Sequence, residues 1–437
     1  MPSNELITTF IDVALWHGTL EQANAILSSH PEIAGGNIHV AAILGDDAAV
    51  RRFLAEDPEN AFKKEAPYGG DALVYLCLSK YLRLDKARSG GFLRAASALL
   101  DAGADPNAGF WSEGEFETAL YGAAGVAHDA ELTRLLLERG ADPNDNETFY
   151  HAPETYDNAT LRVLVESGKM HPEKVSGMLL RKADWHDYEG IKYLLEHGAD
   201  PNQITHWGFT ALHQALRRDN RLDNVEVMLD HGADPTLETR QERQSGIVIA
   251  ARRGRKDVLG LLERRGVSLE FKGVERLIAA CARNDEAAVK AISANEPQLV
   301  AELLAQGGRL LAEFAGTGNT QGVGLLLGLG VSVTAPYEGD EYFGIPKDST
   351  ALHVAAWKAW HSTVRFLIER GAPVNLTDAN GRTPLMLAVR ACVDSYWKAR
   401  RTPESVEALL RVGASVQGIN LPAGYAEIDK LLLSAAN

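Results

Sequence analysis

Leu135-Leu136-Leu137-Glu138-Arg139-Gly140-Ala141-Asp142-Pro143-Asn144 is the stretch on which the fold turns. Its leucines read as the end of a helix with one apolar face. Gly140 suits a left-handed C-cap, and the proline three residues later stops the helix from resuming. Gly-Ala-Asp-Pro-Asn recurs at 103–107 and 198–202. Variants stand at Gly232-Ala233-Asp234-Pro235, Gly371-Ala372-Pro373-Val374-Asn375 and Gly413-Ala414-Ser415-Val416. Similar helix endings precede them, such as Tyr193-Leu194-Leu195-Glu196-His197 and Phe366-Leu367-Ile368-Glu369-Arg370. Gly103 to Gly140, Gly198 to Gly232 and Gly232 to Gly266 are each separated by close to the ~33 residues of a solenoid period.

A second marker lies upstream of these turns: Thr118-Ala119-Leu120-Tyr121, Thr210-Ala211-Leu212-His213, Thr350-Ala351-Leu352-His353 and Thr383-Pro384-Leu385-Met386. The alanine pairs Ala41-Ala42, Ala123-Ala124, Ala250-Ala251 and Ala355-Ala356 belong to the same helices. Together these residues resemble the ankyrin repeat, whose first helix opens with Thr-Pro-Leu-His and continues through two small residues. The resemblance covers nearly the whole chain. It implies an all-α, ankyrin-repeat solenoid of antiparallel helix pairs with protruding fingertip loops, and a bacterial-type array. Small residues let the paired helices approach closely, and each second helix buries a leucine face on the next repeat.

About twelve helix pairs are expected, starting near residues 6, 37, 71, 118, 148, 175, 210, 245, 274, 308, 350 and 383, in one continuous domain over 1–437. Turns at His30-Pro31, Asp57-Pro58 and Glu296-Pro297 should depart from the consensus. Pro153 should distort the first helix of its unit. Insertions fall near 83–92, 109–117, 336–348 and 394–403, where a solenoid places loops.

With Lys+Arg 44 against Asp+Glu 59, the net charge of -15 is a poor field for nucleic acid or an anionic membrane, so neither is expected as a partner. Cys77, Cys281 and Cys392 lie far apart and form no CxxC pair, which argues for buried thiols and a reducing compartment rather than disulfides or a zinc site. The amino end lacks the basic residues of a secretory signal, and no apolar run is long enough to span a bilayer. The expectation is a cytoplasmic protein with no cofactor and no metal. HExxH, GxSxG and GxxxxGK[ST] are absent from the sequence. The glycine-rich stretch 316–322 follows a helix and reads as a turn.

His39, His213 and His353 occupy the Thr-Pro-Leu-His position, where family resemblance implies a structural imidazole bonded to loop backbone. His197 and His231 close helices and should face solvent. In ankyrin folds, the two residues after each alanine pair and the residues before each threonine line the inner helices and the fingertips. By that alignment Trp185, Trp207, Arg217, Arg218, Arg252, Arg253, Arg283 and Trp357 are candidate binding residues on a concave groove. Guanidiniums converging there would suit a carboxylate or phosphate. Acidic and aromatic fingertips form a second feature: Tyr68 and Asp71; Trp111, Glu113, Glu115, Phe116 and Glu117; Tyr337, Glu338, Asp340, Glu341, Tyr342 and Phe343. At least one of Trp357 and Trp360 should seal the adjacent insertion.

Two classes of function fit. One is a binding scaffold that recognises a partner protein or a small anionic ligand through its groove. The other is an enzyme or small-ligand receptor acting on a carbohydrate or another polar anionic compound. Glu154, Asp184, His186, Asp187 and His206 would be its candidate catalytic groups, since carboxylates and imidazoles supply general acid and base.

Overall fold

The computed structural model describes residues 2–394 and 397–436. They divide into two compact units, Met1–Asp234 and Pro235–Asn437, each built from successive helix pairs.

In the first unit the pairs include Ile38–Ile43 with Asp47–Glu56, Pro172–Asp184 with Tyr188–Glu196, and Ala211–Arg217 with Leu222–Asp230. The first helices begin where a side-chain oxygen satisfies a free backbone N–H: Asn37, Asp71, Thr118 and Thr210 accept from the third residue of their helices. Their alanines are fully buried, as at Ala41, Ala42, Ala123 and Ala124. Cys77 sits among them as a small buried hydrophobe. Phe10, Ile43, Leu73, Phe92 and Leu136 belong to one continuous core in this unit.

The expected glycine turn follows second helices such as Ala130–Glu138 and Tyr188–Glu196. Gly140 and Gly198 have φ of 101° and 95°, backbone that a side chain would strain. Its final asparagine has a job the sequence did not disclose. Asn107 donates to Gly140 O at 3.2 Å and accepts from Asp142 N at 2.8 Å, so one turn grips the next. Asn144 grips Lys169 O and His171 N, and Asn202 grips Gly232 O and Asp234 N.

Several elements depart from the regular helix pair. Pro31 and Pro58 open short 3-10 turns in place of the glycine turn. The helix shortened ahead of Pro153 is the four-residue Thr148–His151. Insertion 83–92 supplies the turn Lys86–Arg88 and the start of helix Ser89–Asp101. Insertion 109–117 is a β-hairpin, Gly109–Ser112 paired with Glu115–Thr118. Its two-residue turn, Glu113-Gly114, has positive φ at both positions, the geometry that follows the twist of an antiparallel pair. Alternation puts Phe110 and its cross-strand partner Glu117 inside and the pair Trp111–Phe116 outside.

The second unit repeats the plan with Gly246–Arg252 and Lys256–Arg264, Val274–Arg283 and Glu286–Asn295, Gly307–Gly316 and Thr320–Gly328, Ala351–Trp357 and His361–Glu369, and Pro384–Val393 and Glu404–Arg411. Pro297 opens an additional helix, Pro297–Leu304, and Ala426–Ala436 follows the last pair. Within the glycine-rich stretch 316–322 the turn is 317–319, between two helices, with Asn319 capping Thr320–Gly328 through Gly322 N. Asn375 grips Gly413 O and Ser415 N, as its counterparts do in the first unit. Insertion 336–348 is a loop closed by isolated bridges, Tyr337 to Ser349 and Asp340 to Ile345. Ser395 and Tyr396, in the insertion near 394–403, lie outside the described residues.

Candidate functional site

The doublets after the alanine pairs emerge at helix ends. Arg217, Arg252, Arg283 and Trp357 are each the last residue of their first helix. An arginine there meets the negative end of the helix dipole, which gives these cations a structural reason to be where they are.

In the first unit the candidate groups are knitted together by a residue that the sequence did not single out. Arg181 bonds Glu154 through one nitrogen and Asp184 through another, and its guanidinium lies 4.0 Å from the centre of the Tyr150 ring. Asp184 is buried and also accepts from Arg218 at 2.9 Å and from Gln214. Arg217 sits over Phe209 at 4.9 Å. Burial opposes the charge of Glu154, but the hydrogen bond and charge of His151, with Arg181, hold its carboxyl below the ordinary value. Glu154 and Asp184 are thus brought together as an ion-paired ladder.

Asp187 serves elsewhere. It caps Tyr188–Glu196 through Gly190 N and takes a 2.9 Å bond from the fully buried ammonium of Lys182. His186 stands in the left-handed turn before it, at φ 53°. His206 is exposed, its ring centre 3.7 Å from that of Trp207. Trp207 lies beside Tyr150 and Trp185 beside Tyr156, both indoles half-buried.

A second focus adjoins this ladder through His151. The imidazole donates through Nδ1 to Glu154 at 2.8 Å, and its Nε2 lies 3.1 Å from a carboxylate oxygen of Glu147. Burial works against the imidazolium, but the bond to Glu154 and the charges of Glu154 and Glu147 outweigh it and raise the His151 pKa above the ordinary value. Glu117, from the inner face of the hairpin, is 8% exposed, and its Oε2 has no hydrogen-bond partner among the described residues. Burial first, then the charge of Glu147, push its carboxyl up to about 7, against the influence of His151. Glu147 is raised as well, by burial. Sequence reasoning placed Glu117 among acidic fingertips and missed its inward face. The period-two alternation of 109–118 was the signal that could have found it.

The second unit holds Arg252, Arg253, Arg283 and Trp357. Arg252 is bonded twice to Glu275 and once to Gln306 at 2.9 Å. Arg253 is buried against Glu313 at 2.8 Å, and Glu313 accepts in turn from the Tyr337 hydroxyl at 3.3 Å. Arg283 makes an exposed pair with Glu263 at 2.6 Å. Trp357, expected on a binding surface, is instead buried: its indole N–H donates to Phe343 O at 2.6 Å and Arg390 covers its ring. The loop 336–348 folds over it, so this tryptophan seals the insertion. Tyr337 and Phe343, expected as open fingertips, are buried in the same packing.

The structural histidines behave as the family resemblance implied. His39 bonds Lys63 O at 2.7 Å and His353 bonds Arg382 O at 3.2 Å, each tying a first helix to a following loop. His213 closes a capping box with Thr210. Among the described residues no group of three or more His, Cys, Asp or Glu is placed to hold a metal ion, and no helix is long and apolar enough to cross a membrane.

Residues 178–239 and 277–418 match the family model described as ankyrin repeats (3 copies). The chain carries ankyrin repeats. Among curated proteins, this ankyrin repeat chain is similar to the putative ankyrin repeat protein FPV230 of Fowlpox virus (strain NVSL). The two are 42% identical over 50 residues, covering 11% of this chain and 27% of the viral one. The chain thus spans about a quarter of the length of that relative. Among solved structures, it is similar to the human ASB11 ankyrin repeat domain, with a TM-score of 0.24 and 22% identity over 53% of this chain and 96% of that one. Ankyrin repeats are, as a family, protein–protein interaction modules.

Proposed function

We propose that this ankyrin repeat protein binds a partner protein, and that the first unit carries the recognition surface around Arg181, Trp185, Trp207 and the hairpin 109–118. The observation that carries this reading is aromatic surface left open there: Trp111 is 71% exposed and Tyr156 62%. Exposed rings flanked by charged groups are what interface anchors look like before a partner covers them.

The small anionic ligand gains less support. Arg218, Arg252, Arg253 and Arg283 are each committed to a carboxylate of the chain, so an incoming anion would have to displace a bond already made. The enzymatic reading meets the same obstacle, because Glu154, Asp184 and Asp187 are held in ion pairs.

A thermal-shift panel of sugars, sugar phosphates, nucleotides and peptides separates these readings. A scaffold is stabilised by peptides that bind and little by the small molecules. Strong stabilisation by a sugar phosphate or nucleotide, abolished in either Arg217→Ala or Arg252→Ala, would replace the scaffold with a receptor or enzyme.

A further inference from the structure

Glu117 is the group that the ladder does not account for. It is more than nine-tenths buried, lacks a hydrogen-bond partner at Oε2, and faces the charges of Glu147, Glu115 and Asp145. A buried carboxyl left without a partner is costly to the fold, and more so when it is charged. Its neighbour Asp145 is fully employed, accepting from Thr118 and Thr148 hydroxyls and from two backbone N–H groups. Glu117 and Glu147 are therefore the carboxylates with capacity to spare. Among the described residues the positive group that answers them is His151, and it is shared with Glu154.

The inner face of the hairpin that carries Glu117 is aromatic. Phe110, its cross-strand partner, stacks on Tyr68 at 5.1 Å and stands edge-on to Trp16 at 5.7 Å, and Tyr121 lies 5.3 Å from His151. A cation brought to such carboxylates gains from the ring faces as well as from the charges. Resting on the partner-protein reading above, we propose that Glu117 and Glu147 form the seat for a basic side chain, lysine or arginine, presented by that partner. Charge complementarity selects this occupant. The seat is acidic and desolvated, the chain as a whole carries net charge -15, and an anionic segment would add repulsion where none is offset. Arginine gains an extra advantage from its fork, which reaches two carboxylates at once.

The test uses the full chain and a random peptide library. Selected peptides are expected to hold a Lys or Arg at one fixed position. Replacing that residue by alanine, or introducing Glu117→Gln or Glu147→Gln, should weaken binding at least about tenfold, a loss of ~1.4 kcal/mol. The two single variants guard against a fold defect in either, and circular dichroism confirms that each retains its helices. Peptides that bind the first unit but tolerate all three changes would overturn the seat and leave the scaffold standing. If no peptide binds, the scaffold reading fails and butylguanidinium chloride decides the seat, compared with sodium chloride at equal ionic strength. A rise in melting temperature seen in the unmodified chain and absent from Glu117→Gln supports the seat, and equal behaviour in both overturns it.

Discussion

Lys182→Met is the sharpest test of how the first unit is held together. The ammonium of Lys182 is 0% exposed and is bonded to Asp187 at 2.9 Å and to Thr155 O at 2.5 Å, while Asp187 is 8% exposed. Methionine keeps the length of the stem that packs on Gly190, so the substitution removes charge rather than volume. Breaking a buried pair from one side costs about 3–5 kcal/mol, because the remaining charge is left uncompensated. Asp187 keeps bonds from Asn158 at 2.8 Å and from Gly190 N at 3.2 Å, which places the expectation in the lower half of that range. For a unit of this size, at about 2–4 °C per kcal/mol, the melting temperature should fall by on the order of 10 °C.

The assay is urea unfolding and calorimetry of the unmodified chain, Lys182→Met and the double variant Lys182→Met with Asp187→Asn. The double variant should recover part of the loss, since asparagine still caps the helix and no charge is orphaned. Acidity supplies a second axis. Burial opposes ionisation of Asp187, but the hydrogen bond and charge of Lys182 prevail and hold its carboxyl below the ordinary value. Its contribution is therefore present above an unfolded pKa of about 3.9 and is lost as pH falls through the lower folded value. The gap between the unmodified chain and Lys182→Met should close over that acidic window. A Lys182→Met chain as stable as the original at neutral pH, or a double variant no better than the single one, would refute the reasoning.

Arg253→Ala should destabilise the second unit by about 3–5 kcal/mol, whereas Arg283→Ala, whose pair is open to water, should cost under about 1 kcal/mol in the same unfolding measurement. Trp357→Ala should cost about 3–5 kcal/mol and loosen the loop 336–348, read as faster amide exchange around Phe343. Glu117→Gln should change the pH dependence of melting. A carboxyl raised to about 7 in the folded chain loses stability as pH climbs from the ordinary carboxylate value to about 7, so the variant should be favoured most above neutrality. Equal pH profiles for both chains would remove Glu117 from the acidic focus.

The repeat was legible because its signals are local: a glycine with positive φ, a proline that cannot continue a helix, a threonine cap and two alanines all lie within a few residues of the structure they dictate. The histidine ties of His39 and His353 reach loops far along the chain and were legible only through the family resemblance. The candidate site was harder to read because its chemistry is made between repeats. Arg181 precedes Asp184 by one helical turn and reaches Glu154 in the preceding repeat, and nothing local distinguishes it from a surface arginine. Arg252 and Arg253 carry the expected charge, but Glu275 and Glu313 that absorb it lie far away in sequence. Trp357 aligned with surface positions, yet an insertion of irregular length folds over it. Glu117 was visible as an acid and invisible as a buried one until the strand register fixed its face.

The asparagine grips between turns also bear on how such a chain can lengthen. Each amide fastens the root of a loop to the neighbouring turn just before the loop departs, as Asn107 does ahead of the hairpin 109–118. Residues added beyond that root extend the loop outward and leave the stacking distance untouched. One residue inserted between Gly140 and Asn144 would instead throw two fastenings out of step. New binding surface can therefore be grafted at the loop tips while the spine of the array keeps its pitch.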